Sequence, residues 1–95
     1  MRVISKSAWR DVVAADPSLL GAISEWYKVA RHAQWRNLAD VRLTYPHADR
    51  VGPYTVFNIK GNSYRLIAKT EYRWQIIFVK GLLTHAEYDR GRWKT

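Results

Sequence analysis

The dipeptide Gly61-Asn62 most constrains the fold, because it stands between two runs rich in β-branched and aromatic residues, 54–60 and 63–70. Such a pair is typical of a two-residue hairpin turn that needs positive φ. Side chains alternate between the faces of a strand, so the turn also fixes the register. The predicted pairs are Lys60 with Ser63, Asn58 with Arg65, Val56 with Ile67, and Tyr54 with Lys69. Residues 74–79, ending near Lys80-Gly81, extend the hairpin to a three-stranded meander.

The two faces of this hairpin differ in polarity. One face is almost wholly apolar and is expected to pack on helices; it carries Thr55, Phe57, Ile59, Tyr64, Leu66 and Ala68. The other face carries Tyr54, Val56, Asn58, Lys60, Ser63, Arg65, Ile67 and Lys69. The register therefore predicts that Lys60, Arg65 and Lys69 share a basic surface away from the core.

The first half of the chain has helical periodicity. Residues 1–4 predict a short strand, and Ser5 or Ser7 is placed to cap a first helix carrying Ala8, Trp9, Val12 and Val13. Asp16-Pro17 is typical of a helix start, with apolar positions at Leu20, Ile23, Tyr27 and Ala30. Residues 35–45 predict a short helical turn, and residues 47–53 a loop. The predicted fold is a single α+β domain over residues 1–95, with two N-terminal helices packed on a mainly antiparallel sheet in the order β-α-α-β-β-β-α.

A final short helix is predicted from Thr84 to Gly91. Thr84 and Glu87 have the spacing of a capping box, which gives Glu87 a structural role. His85 and Tyr88, three positions apart, share one face of that helix. The positive end of the helix dipole favours a neutral imidazole at His85, which makes this residue a candidate general base or acid near neutral pH.

Charge narrows the class of partner. Sixteen Lys and Arg against eight Asp and Glu give a net charge of +8, which predicts a polyanionic partner, nucleic acid before an acidic protein. The cations are spread over helices and strands, and no apolar run approaches the roughly 20 residues that span a bilayer, so no membrane association is expected. The absence of cysteine removes thiolate metal sites and fits the cytoplasm. No cofactor or metal site is predicted, because Glu87 and Asp89 near His85 lack the spacing of a known site.

The basic residues of the hairpin, together with His85 and Tyr88, suit phosphodiester cleavage. That reaction needs a base for the RNA 2′-hydroxyl, an acid for the leaving 5′-oxygen and cations on the phosphate. Arg65 can bridge two phosphate oxygens, whereas Lys60, Lys69 and Lys80 supply point charges. The aromatic residues Trp9, Trp26, Trp35, Trp74 and Trp93 are expected in the core and between helices rather than as base-stacking platforms.

Two blocks carry a family resemblance. Residues 56–68, VFNIKGNSYRLIA, and residues 83–89, LTHAEYD, resemble the HigB family of bacterial toxins, in the RelE-like superfamily of type II toxin-antitoxin systems. Its members carry similar FN-x-x-GN-x-YRL and THxEYD blocks in this order. The matching residues are Asn58, Gly61, Asn62, Arg65, His85, Glu87 and Tyr88. Lys80 departs from the pattern, since many relatives have arginine there.

The resemblance implies a RelE-like fold and an mRNA interferase of the bacterial cytoplasm. Such a toxin enters the ribosomal A site and cleaves translated mRNA by metal-independent 2′-hydroxyl attack, leaving a 2′,3′-cyclic phosphate. A HigA-like helix-turn-helix antitoxin would neutralise it and link it indirectly to operator DNA.

The combined hypothesis divides the roles among nine residues. Arg65 and Lys80 clamp the phosphate, His85 or Lys60 handles the proton, and Tyr88 either stacks on a base or handles the proton itself. The predicted RNA-binding residues are Asn58, Asn62, Lys69 and Arg73. Two alternatives stay open: a non-catalytic module that blocks translation by occupying RNA or the ribosome, and a basic adaptor for an acidic protein.

Overall fold

The computed structural model describes residues 1–5 and 7–94 and confirms an α+β fold. The strands are β1 (Arg2–Ile4), β2 (Asp49–Val51), β3 (Tyr54–Ile59), β4 (Tyr64–Glu71) and β5 (Ile76–Thr84). The helices are α1 (Arg10–Ala15), α2 (Leu19–His32), α3 (Leu38–Thr44) and α4 (His85–Arg90), and two 3₁₀ turns span Tyr72–Trp74 and Arg92–Lys94. The sheet order is β1-β5-β4-β3-β2, with β1 parallel to β5 and the other neighbours antiparallel. Within the described residues, no helix is long and apolar enough to cross a membrane.

The hairpin register is confirmed, since Asn58 faces Arg65 across β3 and β4. The turn differs by one position: φ is +53° at Lys60 and +63° at Gly61, rather than positive at Gly61 and Asn62. The Ser63 N–H donates to the Lys60 carbonyl at 3.2 Å, which closes the turn. The prediction that Lys60 shares the outer face is wrong, because its left-handed backbone sends the side chain toward the start of α2.

Two predicted boundaries in the sheet are also wrong. Residues 47–53 are not all loop, because they contain the edge strand β2, whose Asp49 pairs with Val56. β5 continues past Gly81 to Thr84, because the register between β4 and β5 shifts between Ile67 and Ala68. Lys80 is the extra, unpaired residue of this β-bulge. The bulge bends β5, and pairing with β4 continues beyond it.

The helix starts differ from the predicted ones by a few residues. Trp9 precedes α1, and no side chain caps that helix, so neither Ser5 nor Ser7 has the expected role. α2 begins at Leu19, but Asp16 still organises its entry, because its carboxylate accepts from the Ser18 amide at 3.2 Å and from the Ser18 hydroxyl. Residues 35–45 contain a full helix, α3, capped by Asn37, whose side chain accepts from the Asp40 amide.

The core lies between the sheet and the helices and is centred on Phe57. Its ring centroid lies 5.3 Å from Trp26, 5.5 Å from Tyr45 and 6.2 Å from Trp35. Phe57 and Trp26 are both buried. Edge-to-face and offset contacts of this kind add to the free energy of burial. The apolar face predicted for the hairpin therefore packs as expected, and it anchors the strand that carries Asn58.

Replacing Phe57 with Ala should lower the free energy of unfolding by about 3–5 kcal/mol, because it leaves a cavity among three aromatic rings. Urea titration followed by tryptophan fluorescence would measure this. The matched control is Leu43→Ala on α3, where the side chain is 85% exposed. That change should fall within about 0.5 kcal/mol of the parent protein. Similar losses for both variants would contradict this account of the core.

Candidate functional site

Three segments with predicted site residues meet at one end of the sheet. They are the turn of residues 60–63, the start of β4 and the junction of β5 with α4. Tyr64 at the start of β4 pairs with Thr84 at the end of β5. The His85 amide donates to the Ser63 carbonyl at 3.0 Å, which ties the first residue of α4 to the hairpin turn. These contacts place the start of α4, which carries His85 and Tyr88, beside the turn and strand that carry Asn62 and Arg65. These four residues are called the Arg65 group.

Arg65 is held at this end of the sheet by three hydrogen bonds and a contact with an aromatic ring. One guanidinium nitrogen, Nη2, donates to Asn62 Oδ1 at 2.6 Å, and the other, Nη1, donates to the Asn62 and Tyr64 carbonyls at 3.2 Å each. Its Cζ lies 5.6 Å from the ring centroid of Tyr88. The residue is only 9% exposed. The hydrogen bonds fix the turn against the strand, and they hold the guanidinium in one orientation.

Arg65 forms no ion pair with a carboxylate among the described residues. Among the described residues its hydrogen-bond partners are all neutral oxygens. A buried cation that is bonded only to neutral groups keeps its full charge in a region of reduced dielectric constant. It therefore projects a positive potential onto the adjacent surface, where a phosphate would be stabilised.

The junction of β5 and α4 is a complete capping box, as predicted. Thr84 Oγ1 accepts from the Glu87 amide at 3.2 Å, and Glu87 Oε1 accepts from the Thr84 amide at 3.0 Å. The backbone hydrogen bond from Thr84, followed by that of its hydroxyl, lowers the pKa of Glu87. The helix ends at Gly91, whose φ of +73° suits glycine. Glu87 thus serves the helix start and sets the direction of His85 and Tyr88.

His85 is oriented by an acid on its own helix. Its Nδ1 lies 3.0 Å from Asp89 Oδ2, and its side chain is 45% exposed. An ionised carboxylate only accepts hydrogen bonds, so Nδ1 is the donor in this contact and Nε2 is left for another partner.

Tyr88 lies in an aromatic cluster on the outer face of the sheet. Its ring stacks on Trp93 with centroids 5.1 Å apart, and Trp93 Nε1 donates to the Tyr88 carbonyl at 3.0 Å. Tyr54 contacts the edge of Trp93 at 5.9 Å. Burial raises the pKa of Tyr88; Asp49 and Asp89 raise it further, whereas Arg65 lowers it. The hydroxyl is therefore protonated at neutral pH.

Lys60 is held away from this group. Its ammonium donates to the Ser18 hydroxyl and lies 3.6 Å from Asp16 Oδ2. The hydroxyl of Tyr64 donates to the same carboxylate at 3.0 Å. Hydrogen bonds from Ser18 and Tyr64 lower the pKa of Asp16. Lys60 thus links the hairpin turn to the start of α2.

The remaining predicted cations are spread along the sheet. Lys80 is exposed in the β5 bulge with Nζ 5.8 Å from the ring centroid of Phe78, and Lys69 pairs with Glu71 at 3.6 Å. Arg73 lies beyond β4, at the end of the sheet opposite Arg65, with Cζ 5.0 Å from the ring centroid of Trp74. The structure does not bring Arg73 to the Arg65 group.

A cleft of about 540 Å³ opens beside the Arg65 group. Its lining residues are Tyr45, Pro46, His47, Ala48, Asn58, Gly61 and Asn62. Asn58 and Asn62 were predicted to contact RNA, whereas Tyr45 and His47 were missed. Their position follows from β2, because pairing this unpredicted edge strand with β3 carries the preceding loop alongside Asn58. Among the described residues, no group of three or more His, Asp and Glu side chains could hold a metal ion.

Comparisons with known proteins add two findings. A family model described as HigB toxin, the RelE-like toxic component of a toxin-antitoxin system, matches residues 21–91. The chain is also 27% identical over 93 residues to a protein of Escherichia coli (strain CFT073) named mRNA interferase HigB. That alignment covers 95% of this chain and 90% of the relative. The matched segment includes every residue of the Arg65 group.

The capping box predicts a pH dependence that can be measured. Because the pKa of Glu87 is lower in the folded protein than its ordinary value of 4.5, the ionised carboxylate stabilises the fold above that value. This contribution is lost as the pH falls through the folded pKa. The difference in free energy of unfolding between the parent and Glu87→Gln should therefore shrink from pH 7 to pH 3. Urea titrations at both pH values test this, and an unchanged difference would argue against the cap.

Proposed function

Because the chain belongs to the HigB family of RelE-like toxins of toxin-antitoxin systems, we propose that it is an endoribonuclease that cleaves mRNA. The relative from Escherichia coli bears the name mRNA interferase, which supports the same activity. The observation that carries the proposal is that Arg65 contacts the Tyr88 ring while the His85 amide bonds to the turn that Arg65 holds. This arrangement offers a cation, a base and an acid for phosphodiester cleavage.

The proposed reaction begins at the RNA 2′-hydroxyl. His85 Nε2 takes the proton of that hydroxyl, and the 2′-oxygen attacks the adjacent phosphorus. The bond from phosphorus to the 5′-oxygen breaks, and Tyr88 donates its proton to the leaving oxygen. The products are a 2′,3′-cyclic phosphate and a free 5′-hydroxyl. The raised pKa of Tyr88 keeps its hydroxyl protonated at neutral pH, so it suits the acid rather than the base.

Arg65 supports this reaction by electrostatics. Negative charge accumulates on the phosphate oxygens in the transition state, and a preorganised cation stabilises them at no reorganisation cost. The guanidinium is already fixed by Asn62 and lacks an anionic partner among the described residues. Lys80 adds a point charge on the same outer face. Lys60 contributes through the turn rather than as a proton carrier, since its ammonium is engaged by Asp16 and Ser18.

The cleft next to the site fits a nucleobase. Asn58 supplies an amide donor and acceptor, and Asn62 supplies its amide N–H groups, because its Oδ1 accepts from Arg65. His47 and Tyr45 add rings along the wall. RNA bases that are splayed from the stack are recognised by such hydrogen bonds together with aromatic contact. We therefore place a base of the cleaved mRNA in this cleft. We propose that the toxin acts in the bacterial cytoplasm and cleaves mRNA in the ribosomal A site. A HigA-like helix-turn-helix antitoxin would neutralise the toxin and connect it to operator DNA.

One observation favours a second candidate, inhibition of translation by occupancy. The ring of Tyr88 is already stacked on Trp93, and Arg65 is bonded within its own turn. A protein with these contacts can hold RNA on its basic face without cleaving it. Primer extension on mRNA from expressing cells separates the two functions, because cleavage creates new 5′ ends within coding regions and occupancy does not.

Arg65→Ala should reduce cleavage by about 10²- to 10³-fold, the usual cost of removing one preorganised charge or donor. Primer extension on a reporter mRNA and growth after induction both report it. Arg36→Ala is the matched control, because Arg36 is an exposed cation that pairs with Asp40 near α3. The control should stay as toxic as the parent, and a fully toxic Arg65→Ala would refute the site.

Tyr88→Phe separates the two roles offered for this ring. If the hydroxyl is the general acid, the variant should lose about 10²- to 10⁴-fold in cleavage rate while RNA affinity is retained. Phenylalanine keeps the stacking surface, so stacking alone predicts full activity. Single-turnover cleavage and binding of a non-cleavable 2′-O-methyl RNA distinguish these outcomes. Wild-type rates in Tyr88→Phe would exclude the acid role.

A further inference from the structure

We propose that Arg73 and Trp74 form a second RNA contact, a platform on which an unpaired base of the bound strand stacks. The inference rests on the proposed function, because it assumes that the protein holds single-stranded RNA. It extends that function by assigning a binding role to the end of the sheet opposite Arg65. The platform is the 3₁₀ turn Tyr72–Trp74 between β4 and β5.

The turn presents the indole outward. Trp74 is 65% exposed, although it was expected in the core. The next residue, Gln75, has a φ of +56°, and its side-chain amide donates to the Trp35 carbonyl at 2.7 Å and the Tyr72 carbonyl at 2.8 Å. These bonds tie the 3₁₀ turn to the segment that carries Trp35. The exposed position is therefore built into the backbone rather than a result of a loose loop.

Arg73 makes the exposed ring a charged platform. Its guanidinium carbon lies 5.0 Å from the indole centroid, within range of a cation–π contact. No carboxylate among the described residues forms an ion pair with Arg73. A stacked ring beside an unpaired guanidinium matches a nucleotide, in which an aromatic base adjoins a phosphate. Exposed apolar area alone would not specify this ligand, but the adjoining cation does.

The platform and the Arg65 group lie on a common path. Arg65 and Glu71 are near opposite ends of β4, and the six intervening steps span about 20 Å of strand. At 3.4 Å per nucleotide, that distance corresponds to on the order of six stacked nucleotides. Lys69 is an exposed cation on β4 between the two ends, and its ammonium pairs with Glu71 at 3.6 Å. Arg2 is also exposed and lies level with Glu71, because both residues pair with Ile76. A strand whose phosphate sits at Arg65 can therefore reach Trp74.

The net charge of +8 favours a polyanion at this surface. An acidic protein could also use an Arg and Trp pair, since both residues are common in protein interfaces. The two occupants give different results in the test, because only RNA binding depends on strand length.

The test is fluorescence anisotropy with two non-cleavable 2′-O-methyl RNAs, a tetramer and a dodecamer. We expect Trp74→Ala to weaken dodecamer binding about tenfold and to leave tetramer binding unchanged, because only the longer strand reaches the platform. Trp74→Phe should retain most of the affinity, since it keeps an aromatic face. Arg73→Ala should weaken dodecamer binding and reduce the slope of log affinity against log salt by about 0.7. Leu43→Ala is the control, an 85% exposed apolar side chain without a neighbouring cation–π partner, and should bind both RNAs as the parent does.

Equal dodecamer affinities for the parent and Trp74→Ala would overturn the proposal. It would also be overturned if Trp74→Ala lost binding only to purified ribosomes or only to the co-expressed antitoxin. Cleavage by the parent protein is scored separately. If the parent protein cleaves mRNA and Trp74→Ala binds the dodecamer normally, the platform proposal fails and the nuclease proposal stands. If the parent protein does not cleave mRNA but Trp74→Ala weakens binding of the dodecamer alone, the nuclease proposal fails and the platform proposal stands.

Discussion

The hydrogen bonds from the Arg65 guanidinium to Asn62 are the constraint on which the candidate site depends. They join the first residues of β4 to the hairpin turn, whose backbone is left-handed at Lys60 and Gly61. The same turn accepts the His85 amide through the Ser63 carbonyl. One strand, one turn and one helix start are thus fixed relative to each other through neutral acceptors. The guanidinium keeps its charge because those acceptors satisfy its donors without neutralising it.

One face of the sheet packs against the helices and stabilises the fold, and the other face carries the candidate binding residues. Phe57 packs among aromatic rings on the helix side, and this burial supplies the rigidity that the hairpin needs. Asn58 and Arg65 lie on the other face of the same strands, where Arg65 contacts Tyr88 of α4. Because strand side chains alternate, a single register serves both purposes. A slip of one residue would exchange Phe57 and Asn58 and abolish both.

The sequence predicted the parts of the molecule whose causes are local. The Asn58 and Arg65 pairing followed from turn spacing, and the Thr84 cap followed from a four-residue motif. β2 was missed because a three-residue edge strand among Asp, Gly and Pro has no periodic signal of its own. Trp74 was misassigned because an aromatic residue after a strand gives no sign of the side to which a 3₁₀ turn will direct it. The position of Lys60 was wrong because the sequence did not show that φ is left-handed at this residue or that its ammonium would meet Asp16 and Ser18.

The aromatic cluster around Tyr88 bears on how RNA can enter the site. The ring has two partners already, the indole of Trp93 and the guanidinium of Arg65. A nucleobase that stacked on Tyr88 would have to displace one of them and lose that contact, whereas the hydroxyl can act with both in place. We therefore propose proton transfer rather than stacking as the role of Tyr88. We assign base recognition to the cleft that Asn58 and Asn62 line.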